Sequence, residues 1–215
     1  MKTTYTLVLA IIIASSARAQ FDPANFSASL SGNYTMYKGN FQKSTPGAKI
    51  DIGYALTEQS RLAIGYTYHA PIKIPSSILA SDGVSSKQLN SEIKYKFSTI
   101  SLAGNYSFVG TSEDDFELYA AVGAAYVTAK YSEKTNETMP AGYRSMDEME
   151  PGKETGFTLN GGLGVQYRLG SVQVFGDAGI AFPANQANGQ YITNNIPTHF
   201  VFNAGVRIPF GTRDY

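Results

Sequence analysis

The chain has 215 residues, with 17 basic and 17 acidic side chains, no cysteine, no tryptophan, 15 Tyr and 21 Gly. The absence of cysteine excludes a disulfide-stapled scaffold and thiol chemistry. The balanced charge argues against a nucleic-acid partner, which would need a basic surface.

The N-terminal segment has the pattern of an export signal. Lys2 is followed by an apolar run over residues 7–13 and by the small-residue sequence Ala17-Arg18-Ala19. The run is shorter than the ~20 apolar residues of a membrane-spanning helix. We therefore expect residues 1–19 to be a secretory signal peptide and residues 20–215 to form one β-barrel domain.

Apolar and polar residues alternate with a period of two after residue 25, which predicts strands with two different faces. Ile50 and Ile52, for example, alternate with Asp51 and Gly53. A change of phase between Phe97 and Ile100 predicts a β-bulge. Eight strands are predicted, each close to the ~9–11 residues of a tilted membrane strand: 26–36, 48–56, 62–69, 93–108, 116–126, 157–169, 172–182 and 200–210.

The two faces of these strands differ in charge. The apolar faces carry no charged side chain, which is typical of a membrane barrel with lipid outside and a polar lumen inside. Charges in a narrow lumen need partners, so we expect a lumen charge network in which Glu117 pairs with Arg168 and Asp177 with Arg207. The predicted members are Lys49, Asp51, Glu117, Arg168, Asp177 and Arg207.

The connections alternate in length, as in outer-membrane barrels. Those at 57–61, 109–115 and 170–171 are short, whereas those at 71–91, 127–156 and 183–199 are long. The pattern predicts short turns and both termini in the periplasm and long loops outside. Aromatic residues near both ends of the strands, Tyr95 and Phe97 among them, predict two interfacial girdles. The alternative is a soluble eight-stranded barrel with its apolar face turned inward.

Together, these features resemble the small eight-stranded outer-membrane barrels of the OmpA transmembrane-domain, OmpX and OmpW type. The likeness is one of strand pattern over nearly all of residues 20–215. The last strand, residues 200–210, is similar to the C-terminal signal that such proteins present to the barrel-assembly machinery, although residues 211–215 follow its terminal aromatic. The resemblance implies an all-β, eight-stranded antiparallel up-and-down barrel in the bacterial outer membrane.

The sequence offers little for catalysis. A hydrolase site would need a nucleophile and a base, but His69 and His199 are the only histidines and belong to no recognisable Ser/His/acid cluster. We expect no enzymatic activity, cofactor or metal. The expected partners are outer-membrane lipid and lipopolysaccharide, the assembly machinery, and a surface or membrane protein bound through the loops 71–91, 127–156 and 183–199. The alternative functions are a narrow passive channel and an accessory subunit of a larger outer-membrane complex.

Overall fold

Eight strands close into a ring in the computed structural model, which describes residues 23–38, 43–111, 114–184 and 197–210. The predicted signal peptide and most of the connection at 183–199 lie outside these residues. After a short 3-10 helix at Pro23–Asn25, the strands are β1 (Phe26–Tyr37), β2 (Ser44–Ala55), β3 (Ser60–His69), β4 (Ile72–Ser81), β5 (Ser86–Val109), β6 (Phe116–Thr135), β7 (Arg144–Ser145), β8 (Gly152–Leu169), β9 (Val172–Pro183) and β10 (His199–Pro209).

The ring is antiparallel throughout and runs β1–β2–β3–β5–β6–β8–β9–β10. It closes where β10 pairs with β1, from Ser27 opposite Pro209 to Tyr37 opposite His199. This closure leaves the ring without an open edge, as membrane strands require. The prediction of an eight-stranded antiparallel barrel is confirmed. Within the described residues, no helix is both long and apolar enough to cross a bilayer.

The polarity of the ring is the reverse of that of a soluble protein. Large apolar side chains lie on its outer face, where Ile64 is 63% exposed and Val122 is 68% exposed. The buried side chains inside include Asn33, Thr35 and Gln166. This arrangement contradicts the soluble alternative, because a water-soluble barrel would turn its apolar face inward.

Exposed aromatic side chains lie near both ends of the outer face, as the girdle prediction expects. One set lies near the end with the short turns, which we call the short-turn end: Tyr106, Phe108, Phe116, Tyr167 and Phe210. The other set lies near the opposite end, which we call the hairpin end: Tyr34, Tyr66, Tyr68, Tyr126, Phe157 and Phe182.

The strand at 93–108 differs from its prediction. Pairing between β5 and β6 is regular from Ser91 to Ser107, and the bulge lies between Ser107 and Val109. Tyr95 and Phe97 are buried inside the ring and are not part of the girdle. The reason is that β5 extends at this point beyond the band of exposed apolar side chains on the outer face, which we call the apolar belt. Its outer face there meets water, so Lys96 points outward and the aromatic residues point inward.

Two of the predicted loops are largely strands. The segment 71–91 contains β4 and the beginning of β5, which form a hairpin. The segment 127–156 contains the end of β6, the short β7 and the beginning of β8. Both segments were predicted as connections between membrane strands, but paired strands satisfy their backbone groups beyond the apolar belt. We call β4, β7, residues 136–151 and the adjoining ends of β5, β6 and β8 the platform.

Candidate functional site

A layer of charged and polar side chains crosses the lumen near the short-turn end. The Glu117 carboxylate accepts hydrogen bonds from the Ser107 hydroxyl and from the Gln166 amide, the latter at 2.9 Å. The Arg207 guanidinium donates to the Gln166 carbonyl oxygen. Arg61 and Arg207 both interact electrostatically with Glu117. Both guanidinium groups also interact electrostatically with Asp51, so two carboxylates balance two guanidinium groups inside the barrel.

The strand register brings this layer together. Glu117 lies directly opposite Gln166, because β6 and β8 pair antiparallel from Phe116 and Tyr167 upward. Arg207 lies opposite Ser29 on one side and Gln173 on the other. Each of these residues occupies an inward position in the two-residue alternation of its strand.

Polar contacts continue towards the middle of the lumen in two groups. On β2, Lys49 forms an ion pair with Asp51 at 2.8 Å, and the Ser29 hydroxyl donates to Asp51 at 3.0 Å. On the far side, Asp177 accepts a hydrogen bond from the Asn203 amide at 2.6 Å. The Tyr119 hydroxyl lies 3.4 Å from Asp177.

The two charge pairs expected from the sequence are not the contacts that form. Asp177 lies opposite Asn203, whereas Arg207 is four residues further along β10 and opposite Gln173. The stagger of β9 and β10 therefore keeps Asp177 and Arg207 at different levels. Arg168 lies opposite Gln173 on β9. It is one inward position nearer the short-turn end than Gln166, which lies directly opposite Glu117. Its backbone N–H donates to the Asp115 carbonyl at 2.8 Å.

Two lumen residues were not predicted from the sequence. Arg61 fell in a predicted turn, but β3 begins at Ser60 and places Arg61 on the same face as Ala63 and Thr67. Tyr119, only 2% exposed, fell outside the predicted network because it carries no formal charge. Extending the alternation of β3 one step further would have found Arg61, and including the uncharged inward residues of β6 would have found Tyr119.

An apolar cluster lies inside the ring at the hairpin end. The rings of Tyr37 and Phe97 stack with centroids 5.0 Å apart, and Phe97 is 1% exposed. Ile72, at the start of β4, is buried with them. We call this the mouth cluster; its buried members are Tyr37, Ile72, Tyr95, Phe97, Val127 and Ala129.

Between the mouth cluster and the charged layer lies a cavity of about 150 Å³. Its walls include the side chains of Asp51, Asn105, Asp177 and Asn203. Polar and apolar side chains both line the cavity, which has room for several water molecules. The lumen thus combines a central cavity with an apolar obstruction at one end and a hydrogen-bonded charged layer at the other.

The two histidines lie at the hairpin end of the lumen. The Nδ1 atom of His69 is 3.5 Å from the Thr35 hydroxyl, and that of His199 is 2.9 Å from the Pro197 carbonyl oxygen. Among the described residues, no group of three or more His, Cys, Asp or Glu side chains is placed to hold a metal ion.

The platform has an apolar core of its own. Its buried residues are Ile78 and Ala80 on β4 and Leu89 on β5, and Met139 and Tyr143 pack against them. The Asp147 carboxylate accepts a hydrogen bond from the backbone of Leu79 at 2.6 Å, and the Met146 N–H donates to the Leu79 carbonyl at 2.8 Å. Residues 136–151 are therefore fastened to the hairpin by both apolar and polar contacts.

The tip of the hairpin is a short, well-bonded turn. Asp82 accepts hydrogen bonds from the backbone N–H groups of Val84 at 2.9 Å and Ser85 at 2.8 Å. These bonds hold the pKa of the Asp82 carboxyl below its ordinary value, because they favour the charged form. Val84 at this tip is 97% exposed.

The closed ring, its apolar outer belt and its polar lumen define a bacterial outer-membrane β-barrel protein. The model of the family described as outer membrane protein beta-barrel domain matches residues 5–210, and the chain belongs to this family. No curated protein sequence matches the chain.

Solved structures support the same fold. Neisserial surface protein A is similar with a TM-score of 0.59 and 15% identity, over 86% of this chain and 97% of that protein. A major outer membrane protein from Thermus thermophilus is similar with a TM-score of 0.52 and 13% identity, over 85% of this chain and 98% of that protein. At these identities the likeness shows the fold alone.

Proposed function

We propose that this protein is a non-enzymatic surface-interaction protein, in which the barrel anchors the platform on the outside of the cell. The observation that carries the proposal is that the platform folds around a buried core of its own, with Ile78 1% and Leu89 0% exposed. Only surface beyond the membrane can meet a partner in the medium, and rigid scaffolds commonly carry function on such segments.

The orientation that the proposal needs follows from the connections. The short turns lie at the end where the described chain begins and ends, at Pro23 and Phe210. Outer-membrane barrels place their short turns in the periplasm and their longer connections outside. Both termini are then periplasmic, and the platform is extracellular.

The platform presents apolar side chains that its own core does not use. Leu79 is 41% exposed and Met146 is 67% exposed, and the backbone bond between them holds these residues as neighbours. Val84 extends from the tip of the same hairpin. Contiguous exposed apolar surface marks protein interaction sites, and Leu79 and Met146 are adjacent. We therefore propose a protein partner for the platform.

Photo-crosslinking on intact cells tests this function. A photoreactive residue at Val84 should form an adduct with a partner, and Leu79→Ser combined with Met146→Ser should abolish it. The same photoreactive residue at Glu58, exposed in a short turn at the other end, is the matched control. Adducts at Glu58 in intact cells, or Val84 adducts that survive the double substitution, would contradict the proposal.

A narrow passive channel is the second candidate, supported by the cavity of about 150 Å³ whose lining includes Asp51 and Asp177. The mouth cluster argues against it, because Phe97 and Val127 are almost fully buried across the lumen. At eight strands, side chains nearly fill a barrel. Planar bilayer recordings of the refolded protein separate the two functions, and steady unitary conductance would favour the channel.

The remaining partner proposals concern biogenesis and assembly. We propose that the assembly machinery recognises β10, in which Phe202, Val206 and Ile208 form an exposed apolar row that leads to Phe210. An accessory role in a larger outer-membrane complex would use the same platform. Extraction in mild detergent, with and without Leu79→Ser and Met146→Ser, tests that role by the size of the complex.

A further inference from the structure

The outer faces of β5, β6 and β8 form an ordered ladder from lipid to solvent. The rows are direct cross-strand partners in both pairings. In order towards the hairpin end, they are Leu102, Ala124 and Leu159; then Ile100, Tyr126 and Phe157; then Ser98, Thr128 and Thr155; then Lys96, Lys130 and Lys153. We call the last row the lysine row.

The lysine row places three like charges side by side. Directly opposite side chains have Cβ atoms about 4.5–5.5 Å apart, and like charges in that position are unfavourable. All three lysines are exposed. Neither ion pair recorded among the described residues includes them, since these pairs join Lys49 to Asp51 and Lys73 to Glu92.

Nearby carboxylates do not neutralise the row. Glu92 is on the same outer face but pairs with Lys73 at 2.9 Å. Glu133 is buried on the inner face, where it accepts bonds from Ser91 and from the backbone of Met149. Glu154 takes the inward position next to Lys153 in the alternation of β8. Lys94, two residues from Lys96 on the same face, adds a further positive charge.

The height of the row matches the headgroup region of a membrane. It lies four residues beyond Tyr126 and Phe157, which is about 13 Å along a strand. With the tilt of ~35–45° in such barrels, this is roughly 10 Å above the girdle. Long lysine side chains can also bend back towards the bilayer surface.

We propose that Lys96, Lys130 and Lys153 form a binding site for the phosphate groups of the glycolipid in the outer leaflet. Ammonium groups bind phosphate as point charges, and three of them on adjacent strands can share one phosphorylated headgroup. The acyl chains of the same molecule would lie on the apolar rows below, against Leu102 and Leu159. The row lies in the outer leaflet in the orientation of the proposed function.

The test compares two triple variants with equal loss of charge. Lys96→Gln, Lys130→Gln and Lys153→Gln remove the row, whereas Lys73→Gln, Lys87→Gln and Lys134→Gln remove three lysines of the platform that lie farther from the membrane than the row. The refolded full chain is titrated in detergent with purified lipopolysaccharide. Since each lysine near an anionic membrane surface strengthens binding about fivefold, the row variant should bind about 100-fold more weakly. The dissociation constant of the control variant for lipopolysaccharide should stay within about threefold of that of the parent chain.

Two further ligands identify the chemistry. Dephosphorylated lipopolysaccharide should bind the parent chain as weakly as intact lipopolysaccharide binds the row variant. Phosphatidylglycerol should bind less tightly than lipopolysaccharide; equal binding would overturn the assignment to the glycolipid. Equal losses in the two triple variants would overturn the site itself. Binding in detergent does not depend on the orientation of the protein in the membrane. Its outcome is therefore independent of the result of crosslinking at Val84.

Discussion

Glu117 and Gln166 face each other across β6 and β8, and the Gln166 amide donates a hydrogen bond to the Glu117 carboxylate at 2.9 Å. Gln166 in turn accepts from Arg207, so it connects a buried anion to a buried cation without a direct ion pair. Because the bridging residue Gln166 is neutral, the Glu117 carboxylate can also accept a hydrogen bond from the Ser107 hydroxyl. This arrangement makes Glu117 the centre of the charged layer.

The first prediction follows from that position. Glu117→Gln removes the negative charge that faces Arg61 and Arg207 and weakens its bonds to Ser107 and Gln166. We expect a loss of about 1–3 kcal/mol or more in the free energy of unfolding, because buried charged groups lose their partners. Urea unfolding of the refolded barrel in lipid measures it.

The same chemical change at a solvent-exposed ion pair is the control. Glu92→Gln breaks the pair with Lys73 on the platform and should cost less than about 1 kcal/mol. Combining Glu117→Gln with Arg207→Gln should cost less than the two single changes together. Strict additivity would mean that the two residues do not interact.

The second prediction concerns the facing of the strands. Leu163 is 62% exposed on the outer face, whereas Ala121 lines the lumen cavity. Leu163→Arg should cost ~2–4 kcal/mol, as for a cation in the middle of the bilayer. Ala121→Arg should cost less, because the new side chain can reach the water and carboxylates of the cavity. Equal costs at the two positions would contradict the assignment of inside and outside.

Where lipid touches the chain, the sequence predicted the number of strands, the direction in which their side chains face and the connections between them. In β2 and β10 the alternation is uninterrupted, because lipid selects apolar groups at every second position. The prediction failed where lipid ends. Beyond Ser98 the outer face meets water, and the same alternation then carries Lys96 outward and Phe97 inward.

The lumen contacts were less predictable than the lumen residues. The sequence indicates which side chains point inward, but partners depend on the stagger of neighbouring strands, which the alternation does not fix. Asp177 shows this, since a shift of four residues in β10 decides between Asn203 and Arg207. The strands of the platform were missed because they lie beyond the apolar belt, where lipid no longer imposes the alternation of apolar and polar side chains.

The third prediction concerns the seam where the barrel closes. A β-carbon at Gly205 would overlap the backbone of Leu30 and Ser31 on β1. Gly205→Ala should therefore separate β10 from β1 locally and cost about 1–3 kcal/mol. At Gly32, in the same seam, the nearest atom to an added β-carbon is the Ala204 carbonyl oxygen at an ordinary 3.9 Å. Gly32→Ala should be neutral or stabilising by about 0.5–1 kcal/mol, since glycine weakens a strand.

Unfolding midpoints of the two glycine variants, together with the shift in gel migration between boiled and unboiled samples, measure this difference. Closed barrels resist detergent until heated, so Gly205→Ala should lose the compact band at a lower temperature than the parent chain. If Gly32→Ala were the more damaging change, the register of the closing pair would be wrong.

The fourth prediction concerns pH at the hairpin tip. The pKa of Asp82 is lower in the folded turn than in an unfolded chain, because the backbone of Ser85 and Val84 donates to the carboxylate. The turn is therefore stabilised above the ordinary pKa and loses this stabilisation as the pH falls through the lower folded value. Amide resonances of Val84 and Ser85 should shift in that acidic range. Asp82→Ala should abolish the titration, and an unchanged titration in this variant would assign it to another group.

The last prediction concerns the mouth cluster. Phe97 is 1% exposed and stacks on Tyr37, so Phe97→Ala should cost about 3–5 kcal/mol as a large-to-small change in a packed cluster. It should also open the hairpin end of the lumen to the cavity. The charged layer at the other end would remain, so we expect no steady conductance in planar bilayers from this variant alone.

Removing both obstructions separates a filled barrel from a gated channel. Phe97→Ala combined with Arg207→Ala should give small, steady currents, because the cavity of about 150 Å³ would then reach both ends of the ring. Phe108→Ala is the matched control, since Phe108 is 54% exposed on the outer face and touches no part of the lumen. Its currents should equal those of the parent chain. Unitary conductance in the parent chain, lost when Glu117 or Asp177 is neutralised, would instead show that ions already pass through the charged layer.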